Sequence, residues 1–154
     1  MRYVGCANAA TLTLLTLPPQ AEVKLDGLLG LGLTEVRLRA SDKRSMITRF
    51  SLWTSTGAPN FERLTDFSVT IVGRGREHPG TVHLNHWRGA DEHPTQMPLA
   101  LDFSPTADFH SYGIWRDLHH LKFLIDGEAV ATWKGDFSLT TFPPAHAIVT
   151  VYPR

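Results

Sequence analysis

Short β-prone runs, broken roughly every 8 to 15 residues by Gly, Pro, Asn and Asp, fill this chain from end to end. That spacing suits an all-β sandwich or barrel. Side chains on a strand alternate between its two faces. Glu35-Val36-Arg37-Leu38-Arg39-Ala40 alternates strictly, with Val36, Leu38 and Ala40 on one face. Residues 66–72 repeat the pattern: Phe67, Val69 and Ile71 share one face, while Asp66, Ser68 and Thr70 share the other. Residues 46–53, 81–87, 109–115 and 147–152 read as further strands, and residues 11–17 as the first. Asp126-Gly127 lies between the β-prone runs 121–125 and 128–133, the strongest short hairpin signal available. Residues 73–80 are turn-rich, and residues 88–98, rich in Asp, Glu, His and Pro, read as a loop. No stretch of ten or more residues carries a helical period, so the expected fold is all-β, a sandwich or a barrel.

A chain of 154 residues suits one domain, and residues 1–154 are expected to form a single one without a linker. At that length a core can hold the fold without disulfide or metal. The lone cysteine, Cys6, rules out an internal disulfide and leaves the compartment unassigned. With 15 basic and 15 acidic side chains the formal charge is zero, which argues against a nucleic-acid partner. No apolar run reaches the length needed to span a bilayer. Residues 7–17 are apolar and follow Arg2, but Thr interrupts them and no small-residue cleavage site precedes Pro18-Pro19. They are therefore read as strand rather than signal peptide. His83, His86, His93, His119 and His120 invite a metal reading, yet His83 and His86 point to opposite faces of one strand and no metal-binding spacing is present. No cofactor and no metal are expected.

The string Asp102-Phe103-Ser104-Pro105-Thr106-Ala107-Asp108-Phe109-His110-Ser111-Tyr112-Gly113-Ile114-Trp115, followed by a strand, Ile125-Asp126-Gly127 and another strand, resembles a signature of the family 16 glycoside hydrolases. That family includes laminarinases, lichenases and xyloglucan transglycosylases. The strands at 34–40 and 47–53, Val82-His83-Leu84-Asn85, and residues 142–153 are similar to further parts of the family pattern, so the likeness covers about residues 11–154. It implies a concanavalin A-like jelly roll of two curved sheets with a polysaccharide cleft on the concave face. The sugar it points to is a polysaccharide or oligosaccharide of β-glucan type. The chain is shorter than the usual member, as though strands beyond Arg154 were trimmed.

The likeness fails where the chemistry matters. The family's catalytic strand reads Glu-x-Asp-x-Glu, then an apolar pair and Gly; counted back from Gly73, those positions are Asp66, Ser68 and Thr70. Retaining hydrolysis needs a nucleophilic carboxylate and an acid about 5–5.5 Å from it. Asp66 keeps a carboxylate at the nucleophile position, one methylene short, and a misplacement of ~1 Å can cost ~100-fold. Thr70 cannot protonate a leaving oxygen near neutral pH. The expected function is polysaccharide recognition, or a vestigial glycosidase, without hydrolysis. Ser68, Thr70, Trp53, His83, Asn85 and Trp87 are the expected sugar-binding residues, with Asp66 the degenerate catalytic one. Trp115 and Trp133 are read as structural, as is His110. One alternative is an active endo-β-glycanase that draws on Glu62, Asp66, Glu77, Asp91, Glu92 or Asp102. Another is a structural or protein-interaction sandwich with no sugar site.

Overall fold

A computed structural model describes residues 2–4, 7–13, 20–24, 29–54, 65–73, 80–88, 95–139, 141–142 and 144–154. For residues 2–4, 7–13, 54, 65 and 88 it describes the backbone alone. Twelve strands run through these residues: β1 (Arg2–Val4), β2 (Ala7–Thr13), β3 (Glu22–Lys24), β4 (Gly32–Leu38), β5 (Met46–Thr54), β6 (Thr65–Val72), β7 (Thr81–Arg88), β8 (Thr95–Ala100), β9 (His110–Arg116), β10 (His120–Ile125), β11 (Glu128–Lys134) and β12 (His146–Pro153). No helix occurs among the described residues, and so none there is long and apolar enough to cross a membrane.

The strands form two six-stranded sheets, one ordered β1-β2-β4-β9-β10-β11 and the other β3-β12-β5-β6-β7-β8. Neighbours are antiparallel except β2 and β4, which run parallel. Period-2 alternation sends one row of each strand into a shared core. Val36, Leu38, Ile114, Leu121 and Phe123 come from the first sheet, and Phe50, Phe67, Val69, Ile71, Val82, Leu84 and Val149 from the second. Burying such side chains, at about 25 cal/mol per Å² of apolar surface, drives the two sheets together. Phe67, Val69 and Ile71 therefore lie where the alternation puts them.

The β10–β11 hairpin turns at Asp126 (φ 50°) and Gly127 (φ 83°), the two positive φ values that a two-residue type I′ turn requires. The Asp126 carboxylate accepts from the Ser111 amide (2.9 Å) and pairs with His110 Nδ1 (2.7 Å), while the His110 ring stacks on Phe103. Burial works to raise the Asp126 pKa. The bonds from His110 and Ser111 and the charges of His110 and Arg37 outweigh it, so the carboxyl sits below its ordinary range. At the sandwich end near Phe67, Phe142 packs on its ring at 4.9 Å and Phe137 meets it edge-on at 6.3 Å. Arg116 reaches from the first sheet over the Phe67 ring and donates to the Phe142 carbonyl (2.6 Å). Burial lowers its pKa to about 10.

Three elements depart from expectation. The strand expected at residues 11–17 overlaps the end of β2, which begins at Ala7 and follows β1; residues 14–17 of the expected strand, and Cys6, lie outside the described residues. β3 pairs with β12 over three residues, too few for a period to register. Part of the expected loop 88–98 is strand β8, Pro98 included. Leu101 N donates to Gly80 O (2.9 Å). By alternation Leu99 and Met97 then face β7 with their hydrogen-bonding groups, and Pro98, opposite His83, turns its nitrogen to the open edge. Proline costs no ladder bond there and blunts the edge.

Candidate functional site

The outward face of the second sheet carries the candidate site, and register brings it together. Asp66 stands between Trp53 of β5 and Trp87 of β7; Ser68 between Ser51 and Asn85; Thr70 between Arg49 and His83. Gln96 of β8 extends the middle row beyond Asn85. On the other side, Ile148 and Thr150 of β12 continue it toward Lys24 and Glu22 of β3. Rows of side chains therefore cross the strands.

Two hollows lie along these rows. The first, about 370 Å³, is lined by Arg49, Asp66, Ser68, Thr70, His83, Asn85, Trp87 and Gln96. The second, about 260 Å³, is lined by Glu22, Lys24, Arg49, Ser51, Trp53, Ile148 and Thr150. Arg49 borders both. All seven residues singled out from the sequence on this face (Asp66, Ser68, Thr70, Trp53, His83, Asn85 and Trp87) border one or the other.

Sequence reasoning missed Arg49. Its Nη2 donates to both Asp66 oxygens, at 2.7 and 2.6 Å, and to Ser68 Oγ at 3.3 Å. Asp66 and Ser68 keep only 7% and 1% of their surface, and Arg49 contacts both. The signal was present: Arg49 has the outward parity of β5, shared with Ser51 and Trp53, but nothing local said which residue it would meet.

Asp66 is the one carboxylate bordering the first hollow among the described residues. Asp102 borders a different hollow, at the sandwich edge beside Asp126 and Glu128. Glu62, Glu77, Asp91 and Glu92 lie outside the described residues, as does His93. His86 turns inward, its ring edge-on to Trp133 (5.1 Å) and Phe137 (5.8 Å), opposite in direction to His83. His120 is tied to Asp117 at the β9–β10 turn. No group of three or more His, Cys, Asp or Glu able to hold a metal occurs among the described residues. Trp53 is exposed, whereas Trp115 lies under the Lys122 ammonium on the other sheet and Trp133 packs against Phe123.

A guanidinium nitrogen touches both Asp66 oxygens, and its neighbours on the strand face that border the hollow, Ser68 and Thr70, carry hydroxyls rather than carboxyls. Hydroxyls, an amide, an imidazole and indole rings along one trench can bind sugar hydroxyls and ring faces.

The profile of the glycosyl hydrolases family 16 matches residues 10–152. No match is found among curated proteins. Among solved structures, a native glycosidic hydrolase superposes with a TM-score of 0.70 at 20% identity, over 86% of this chain and 56% of that one. The Bacillus licheniformis β-glucanase gives 0.71 at 16% identity, over 86% and 57%. The κ-carrageenase from Pseudoalteromonas carrageenovora, in complex with an oligotetrasaccharide of κ-carrageenan, gives 0.64 at 15% identity, over 86% and 54%. At these identities the likeness is one of fold, a jelly-roll β-sandwich, and the chain spans little more than half the length of these structures.

Proposed function

This chain belongs to the glycosyl hydrolases family 16, and we propose that, as one jelly-roll unit over residues 1–154, it recognises polysaccharide along the outward face of the β6 sheet without hydrolysing it. The observation that carries this reading is the state of Asp66. Both its oxygens accept from Arg49 Nη2, and no second carboxylate borders its hollow among the described residues. Retaining hydrolysis takes two carboxyls about 5–5.5 Å apart, and an inverting pair about 6.5–9.5 Å apart. Without an acid the leaving oxygen departs unprotonated, which forfeits ~10²–10⁴ in rate from that term alone.

Recognition needs less. Trp53 and Trp87 stand on either side of Asp66, two strand spacings or about 10 Å apart, and would offer ring faces to successive sugars. Thr70, His83 and Asn85 would meet hydroxyls between them. Resemblance alone points to a β-glucan; the residues of the groove narrow the sugar differently, as argued below.

Binding is read by affinity electrophoresis in polysaccharide-containing gels, with a parallel reducing-end assay on laminarin, lichenan and agarose. Retardation without release of reducing ends is the expected result, with binding weakened about tenfold in Trp87→Ala. Reducing ends well above a no-protein control, unchanged by Asp66→Ala, would place the working carboxylates elsewhere. Absence of retardation in every polysaccharide gel would remove the sugar site.

A further inference from the structure

We infer that Arg49 makes the groove a receptor for acidic sugars, with its guanidinium holding an anionic oxygen group, either a uronate carboxylate or a sulfate ester. This rests on the polysaccharide-recognition reading. The guanidinium stands where the two hollows meet and borders both. A guanidinium offers five donors in a flat fork that matches oxyanions bidentately. Here Asp66 and Ser68 draw on Nη2 alone. Nε is enclosed and has no hydrogen-bond partner. Nη1 makes no hydrogen bond among the described residues, and the side chain keeps 29% of its surface beside the two hollows.

The surrounding charges allow an anion. Asp66 meets the guanidinium through Nη2, leaving the Nη1 nitrogen to the ligand. His83, exposed on the same row, can add a donor. Glu22 and Lys24, at the far end of the second hollow, are both exposed and opposite in sign. A neutral hydroxyl or an oxyanion can accept from Nη1, but a bond to an oxyanion is charge-assisted at both ends, and charge-assisted bonds are about twice as strong as neutral ones.

The test is affinity electrophoresis of the full chain in gels holding laminarin (neutral), polygalacturonate (carboxylate) or κ-carrageenan (sulfate). The variants are Arg49→Lys, the double change Arg49→Met with Asp66→Asn, and Arg37→Gln. The double variant removes both charges together, so no lone carboxylate is left to unfold the groove. Arg37 is an exposed cation of β4, in the other sheet. The expected result is at least tenfold tighter binding to one acidic polymer than to laminarin, weakening as NaCl rises to about 0.5 M. Whichever acidic polymer wins identifies the anion. The double variant should lose roughly ten- to a hundredfold toward that polymer, several-fold more than it loses toward laminarin, with Arg49→Lys in between and Arg37→Gln unchanged. Equal binding of laminarin, insensitivity to the double change, or an equal loss in Arg37→Gln overturns the inference and leaves polysaccharide recognition standing. Binding to none of the three overturns both.

Discussion

Replacing Arg49 by Met, Asp66 by Asn, and both together closes a double-mutant cycle on the ion pair that joins β5 to β6. Its magnitude follows from exposure. Ion pairs in open solvent couple by about 0.2–1 kcal/mol, and stripping one partner from a buried pair costs about 3–5 kcal/mol. The Asp66 side chain keeps 10% of its surface and that of Arg49 29%, which places the pair between these limits. Arg49→Met leaves an enclosed carboxylate without its cation and should cost about 2 kcal/mol. Asp66→Asn leaves a cation that can still reach water and should cost about 1 kcal/mol. The double variant leaves neither charge stranded, so its cost should also be about 1 kcal/mol, giving a coupling of about 2 kcal/mol. Urea denaturation followed by tryptophan fluorescence measures it. With a slope of about 2 kcal/mol/M, Arg49→Met lowers the midpoint by about 1 M. A coupling below about 0.5 kcal/mol would mean that Arg49 does not hold Asp66 in solution. The carboxylate would then lack its cation in solution, and only the missing second carboxylate would speak against hydrolysis.

Gly73→Ala should be far more damaging than Gly127→Ala. A Cβ at 73 would meet the backbone oxygens of Lys43 and Ser41 at 2.4 and 2.7 Å, for an overpacking cost of about 3 kcal/mol. One at 127 meets nothing within 4 Å and suffers only its φ of +83°, about 1 kcal/mol. Equal midpoint losses would refute the steric account. Asp126, held below its ordinary range, contributes stability that is fully present above the unfolded carboxyl value of about 3.9 and is lost as pH falls through the lower folded value. Denaturation midpoints should therefore fall from about pH 4 downward, and less steeply in Asp126→Asn, whose amide tolerates the positive φ; identical slopes would dismiss the pair. Arg116→Met keeps volume while removing a buried cation that has no carboxylate partner among the described residues, so stability should hold or rise. A loss above about 1 kcal/mol would show that its bond to the Phe142 carbonyl outweighs the cost of burial.

Alternation is a local property, and what depends on it was legible in the residues. Phe67, Val69 and Ile71 point inward and Asp66, Ser68 and Thr70 outward because each peptide unit reverses the side chain. The Asp126-Gly127 turn was legible for the same reason, since two adjacent positive φ values leave few other residues for the position. The string from Asp102 to Trp115 carried the family, and with it the sandwich. Pairing between strands is a different kind of information. That Arg49 lies across from Thr70 and closes on Asp66, that Trp53 and Trp87 flank one carboxylate, and that Pro98 turns its nitrogen to an open edge all follow from register. Register is set when the whole core packs at once, because a slip of one residue would turn Phe67 and Val69 out to water. A sequence pattern can therefore say which face Arg49 occupies. Only the assembled sheets, by enclosing Asp66 until its charge requires a partner, decided that Arg49 would be that partner.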